Sequence, residues 1–118
     1  MEIVMARGDL ETRTFTLKNK NGTIYQTAPD EIYFTVKANA ADRNYKFQKR
    51  LSDGGITFVE TGKYQFTILP EDTDGLGFGT YDFDIELVKA PSLKKTFCGK
   101  LVIDKEVTHH NNEVISNG

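Results

Sequence analysis

The side chains best equipped for chemistry are few in this chain, and their spacing does not gather them. Cys98 is the single cysteine, so no internal disulfide can form. It lies in a strand-like run, Thr96-Phe97-Cys98-Gly99-Lys100-Leu101. With no basic neighbour to favour a thiolate, it reads as a small apolar core residue. His109 and His110 are the only histidines. Adjacent on an extended chain they point to opposite sides, and no second His or Cys pair completes a zinc-type ligand set. A Ser-His-Asp triad needs a rigidly held imidazole, which a polar tail does not offer.

Glu71, Asp72 and Asp74 cluster after Pro70. Hard cations take several oxygens from such loops, but the 12-residue ligand spacing of an EF-hand is missing. Asp72 or Thr73 is expected to cap the turn through its side-chain oxygen instead. Gly75-x-Gly77-x-Gly79 has no Lys-Ser/Thr ending and opens no helix, so it is not a phosphate cradle. Its glycines read as backbone freedom at a sharp corner. Arg43, Lys46, Lys49 and Arg50 are the nearest thing to a basic patch. They read as a solvated strand face rather than the clustered basic surface that nucleic acid requires. The expectation is no catalytic residue, no cofactor and no bound metal.

The elements that position these residues follow a period of two. Tyr81, Phe83, Ile85 and Leu87 alternate with Asp82, Asp84 and Glu86, as in a half-buried antiparallel strand. The same alternation sets Ile32, Phe34 and Val36 inward against Tyr33, Thr35 and Lys37, and Tyr64, Phe66 and Ile68 against Gln65 and Thr67. Further strands are expected from Glu2 to Met5, from Thr12 to Lys18, around Phe47 and Ile56, and from Lys94 to Asp104, with Phe97, Leu101 and Ile103 in register. Lys49 and Arg50 suit an edge strand. Asn21-Gly22, Gly54-Gly55, Gly62 and Pro91 supply turns, with Ser52-Asp53-Gly54-Gly55 expected to close a hairpin. Arg7-Gly8-Asp9 breaks the first strand. Seven to nine short strands with regular turns make a β-sandwich. A Tyr entering a strand after a Gly-rich corner, here Gly79 and Tyr81, is the sign of the tyrosine corner of an immunoglobulin-like sandwich.

The 118 residues suit one domain with a core of its own. A hydrophobic share of 38% against 27% charged residues favours folding over disorder. The sandwich is expected over residues 1–105, with 106–118 a flexible or partner-bound tail carrying Val107, Val114 and Ile115. The first residues lack a basic segment leading into a long apolar run, and no stretch reaches the ~18 apolar residues of a membrane span. Synthesis in the cytoplasm, with no membrane and no nucleic-acid partner, is expected. The short apolar first strand is an edge that invites pairing, so a homo-oligomer, or a monomer that orders in a complex, is expected. Most of the eight Phe and five Tyr fall at inward positions. By strand parity Tyr25, Tyr33 and Tyr45 are the aromatics available for binding a carbohydrate or receptor.

The order of these pieces resembles the small phage and prophage proteins of Gram-positive hosts built on an immunoglobulin-like sandwich, a group that includes the N-terminal domain of phage baseplate upper proteins. Arg7-Gly8-Asp9 precedes the Thr/Phe strand Thr14-Phe15-Thr16-Leu17. Asn21-Gly22 leads to Glu31-Ile32-Tyr33-Phe34-Thr35-Val36-Lys37. Lys49-Arg50 leads to Gly54-Gly55-Ile56, and Leu69-Pro70-Glu71-Asp72-Thr73 leads to Leu76, Gly79, Thr80, Tyr81 and Asp84. The likeness spans about residues 3 to 104; Gln26-Thr27-Ala28 departs from the apolar or Leu-Thr pair usual there. The resemblance implies a structural or assembly protein of a phage tail or baseplate, with other phage structural proteins as partners. It implies host cytoplasm during synthesis and the virion afterwards, and no catalytic residue.

Overall fold

A computed structural model describes residues 1–91 and 93–105, with backbone alone at 93–95. The alternating segments form eight strands. They are β1 (Glu2–Ala6), β2 (Glu11–Thr16), β3 (Glu31–Lys37), β4 (Phe47–Arg50), β5 (Ile56–Glu60), β6 (Lys63–Ile68), β7 (Gly79–Lys89) and β8 (Leu93–Asp104). One helical turn, α1 (Pro70–Thr73), joins β6 to β7. The protein is an all-β sandwich of two sheets: a five-stranded sheet in the order β1-β8-β7-β3-β4 and a three-stranded sheet in the order β2-β6-β5. All neighbours are antiparallel except β1 and β8, which run parallel from Glu2 opposite Lys100 to Ala6 opposite Asp104. The expected tail, 106–118, lies outside the described residues.

The inward rows of the two sheets interlock. Phe34 stacks on Phe66 across the sandwich at 4.0 Å between ring centroids and meets Phe83 at 5.2 Å. Phe34 and Phe66 are fully buried, and burying a side chain of this size contributes on the order of 2–3 kcal/mol. Ile3, Met5, Ile32, Ile68, Leu87, Leu101 and Ile103 complete the layer. The edges fall where charge and length suggest: β4, with Lys49 and Arg50, ends one side of the larger sheet, and the short β1 ends the other.

The turn at Ser52-Asp53-Gly54-Gly55 is not a hairpin. It carries the chain from β4 in one sheet to β5 in the other, because the core-facing Phe47 and Ile56 must both be buried and one layer already ends at β4. Thr35, expected outward and exposed, is buried under Gln48, whose Nε2 donates to Thr35 Oγ1 at 2.9 Å.

Candidate interaction face and corner

The corner between β6 and β7 is built from the acidic turn. Asp72 Oδ2 accepts a hydrogen bond from the Leu69 amide at 2.8 Å and pairs with Lys49 Nζ at 2.5 Å. That satisfies one of the amides a helix start leaves unpaired, and it commits Asp72 to capping rather than to a cation. Thr73, fully buried, turns the other way: its Oγ1 accepts from the Gly8 amide at 2.8 Å. Arg7 Nη1 donates to the Leu76 carbonyl at 3.1 Å, with its guanidinium 4.2 Å from the centre of the Phe78 ring. The Arg7-Gly8-Asp9 break is therefore a clasp that pins the β1–β2 turn to the corner. Gly79 opens β7 at φ +139°, a conformation that favours glycine. Tyr81 is half-buried against the core, and its hydroxyl donates to the Gly77 carbonyl at 2.7 Å.

The outer face of the larger sheet collects most of the remaining functional groups. Outward along β7 stand Asp82, Asp84 and Glu86. Asp82 lies between Lys37 and Lys100, and Asp84 between Thr35 and Cys98. A shallow groove of about 320 Å3 runs over this part of the sheet. The two aspartates differ in their surroundings. Lys100 Nζ bonds directly to Asp82, and the Ala40 amide donates to its other oxygen at 2.8 Å; together they hold its carboxyl below the usual range. Among the described residues no such donor reaches Asp84. Burial pushes its carboxyl up, Glu86 adds to the rise, and Lys37 offsets it in part. Arg50 reaches Gln48 at 2.9 Å and lies 5.5 Å from the centre of the Tyr33 ring.

Cys98 is exposed on this face and not part of the core. Its neighbour Phe97, expected inward, does point between the sheets but stays 40% exposed. Of the three tyrosines with a possible binding role, Tyr25 is buried between the sheets, its amide bonded to the Leu17 carbonyl at 2.9 Å. The short bridge of Lys18 to Ile24 turns it inward. Tyr33 is half-buried under Arg50, and Tyr45 is 50% exposed in the loop before β4. The three do not form one platform. Tyr45 sits instead with Asp42, Arg43, Asn44 and Lys46 around an open depression of about 430 Å3. Among the described residues no three His, Cys, Asp or Glu side chains converge as metal ligands would. Both histidines lie outside the described residues.

Sequence reasoning missed the joining of Arg7, Gly8 and Thr73. No local pattern links positions so far apart, although a Thr in a short acidic turn signals a side chain seeking a backbone partner. No protein-family model matches the chain, and no curated protein matches it significantly. Fold and face define the class: a two-sheet β-sandwich domain.

Proposed function

We propose that this protein is a non-enzymatic structural or assembly component of a phage or prophage particle, of its tail or baseplate, working through surfaces and strand edges. The finer fold reading belongs to the same proposal: an immunoglobulin-like sandwich with a tyrosine corner. The strand order β1-β8-β7-β3-β4 against β2-β6-β5, with the Tyr81 hydroxyl closing on Gly77, supports it. The observation that carries the functional reading is the use made of the chemistry-bearing residues. Arg7, Lys49, Asp72, Thr73, Asp82 and Lys100 are committed to holding turns and strands together. Its partners would be other particle proteins, met after synthesis in the host cytoplasm. Mass spectrometry of purified virions or induced particles is expected to find the chain in several copies per particle. Abundance in the infected cell with consistent absence from particles would overturn it.

One observation favours a second reading, a carbohydrate- or receptor-binding module for host attachment. Tyr45 presents an exposed ring beside Arg43 and Lys46 at an open depression, and loops on a rigid scaffold commonly carry recognition. A glycan array decides between them. Binding abolished by Tyr45→Ala would favour this second role, and no binding to any glycan would leave the structural one.

A further inference from the structure

Each sheet ends on two strands, β1 and β4 in one and β2 and β5 in the other. Three of these edges carry features that discourage further pairing. β4 bears Lys49 and Arg50. β2 bears Arg13, paired with Glu11 at 2.6 Å. β5 is interrupted by a bulge between Phe58 and Glu60. β1 has no Lys, Arg, Pro or bulge, and its single charge, Glu2, stands at its start. No strand pairs with its outer side among the described residues.

The backbone of β1 has a definite phase. The Met1 carbonyl accepts from the Lys100 amide at 3.2 Å, and the Arg7 amide donates to the Asp104 carbonyl at 3.1 Å. Backbone polar groups of successive strand residues face opposite neighbours, so residues 1, 3, 5 and 7 bond β8. Glu2, Val4 and Ala6 therefore turn their amides and carbonyls to the open side. The Ala6 carbonyl is already used by the Asp9 amide at 3.2 Å. Val4 is the middle residue of the strand. A second β1 laid antiparallel about Val4 pairs the whole strand, and every other register in this phase pairs less of it.

The side chains suit that register. Glu2 falls opposite Ala6 of the second copy, Ile3 opposite Met5, and Val4 opposite Val4, so no like charges meet. Val4 is 39% exposed, beside half-buried Val102 on β8. These two valines interrupt a face on which β7 presents Asp82, Asp84 and Glu86. About a two-fold axis at Val4, both copies of the pair join into one apolar row across the new contact, an arrangement that β-branched residues favour.

We propose that two copies of this chain join through β1, antiparallel about a two-fold axis at Val4, making one continuous sheet from two five-stranded ones. Val4 exchanges both backbone hydrogen bonds with Val4 of the second copy, and each Ala6 amide reaches the opposing Glu2 carbonyl. Such a contact is small against the roughly 20–30 residues a side of a standard interface, so the dimer forms as concentration rises.

Cys98, the only cysteine and exposed, gives a direct measure of the geometry. Val102 is level with Val4, so Cys98 lies four residues away along β8 and outside the contact. The two copies of Cys98 are then about 26 Å apart along the strands and about 14 Å across them, or about 30 Å between backbones. Double electron–electron resonance between nitroxides on Cys98 of the full chain at about 1 mM is expected to show this separation. Excess unlabelled chain should abolish it. Val4→Lys sets two cations opposite each other, and Val4→Pro removes the outward amide while sparing the bonds to β8. Both should sediment as monomers at that concentration, and Val4→Ile should remain dimeric. A monomeric unsubstituted chain at about 1 mM would overturn the proposal. So would a dimer that survives Val4→Lys, or labels under about 20 Å apart, the result of pairing through residues 93–99. The separation is read on the unsubstituted chain, so it decides even where a variant fails to fold.

Discussion

Thr73 is the side chain through which the N-terminal turn is joined to the corner. Its hydroxyl oxygen is the acceptor for Gly8 in a place with no exposure of its own. Thr73→Val keeps the volume and removes the acceptor, leaving the Gly8 amide unpaired. The expected cost is about 1–3 kcal/mol, read as a lower midpoint in urea unfolding with an unchanged slope. Tyr81→Phe is the milder case. The Gly77 carbonyl it bonds is exposed, so water can replace the hydroxyl, and about 0.5–1 kcal/mol is expected from the same measurement. Asp84 goes the opposite way. Its carboxyl is raised in the folded protein by burial first and by Glu86 second, so folding disfavours its charged form. Its contribution is most favourable below the unfolded carboxylate pKa and declines as pH rises through the folded value. At pH 7 the full penalty is present. Asp84→Asn should therefore raise stability there by about 0.5 kcal/mol after allowance for solvent screening. The gain should vanish when melting is repeated near pH 3.

At the scale of elements, β8 carries the tightest steric condition. A side-chain carbon at Gly99 would lie 2.4 Å from the Phe83 ring and 2.5 Å from the Met1 carbonyl oxygen. The ring and the first residue of the chain occupy the space a side chain would need. Gly99→Ala should force β1 and Phe83 apart at a cost of about 1–3 kcal/mol, seen as a lower melting temperature and faster exchange in β1. Most strands were legible because alternation is a local property: Ile32, Phe34 and Val36 declare their face without reference to anything else. Cys98 is the exception: the parity that buries Leu101 and Ile103 turns it outward, whereas its apolar character placed it in the core, and it is exposed. The passage from β4 to β5 was not legible. Ser52-Asp53-Gly54-Gly55 states that the chain turns, and nothing in it states which sheet receives the next strand. The exposure of Phe97 was hidden for a related reason: parity gives direction, and only the width of the opposing sheet gives cover. Of the three candidate tyrosines, strand parity turns Tyr33 outward, Tyr45 stands in the loop before β4 where parity does not apply, and Tyr25 is turned inward by a single bridge that carries no periodic signal.

For the molecule as a whole, the parallel contact of the first strand with the last has a mechanical consequence. β1 has its free start at the level of Lys100, and β8 has its end at the level of Ala6. Tension applied through Met1 and Lys105 therefore slides the two strands along each other. Every hydrogen bond between Glu2–Ala6 and Lys100–Asp104 takes the load together instead of opening in sequence like a zip. Extension by single-molecule force spectroscopy through linkages at 1 and 105 should meet a distinct rupture peak. Arg7→Pro, which removes the amide that donates to the Asp104 carbonyl at the end of this contact, should lower that peak, and no change would mean the load is borne elsewhere. Attachment through Gly79 and Lys105, at the open end of the β7–β8 pair, should open at smaller force, because the antiparallel strands then separate one residue at a time. The direction of pull, more than the depth of the core, sets how much tension this sandwich withstands.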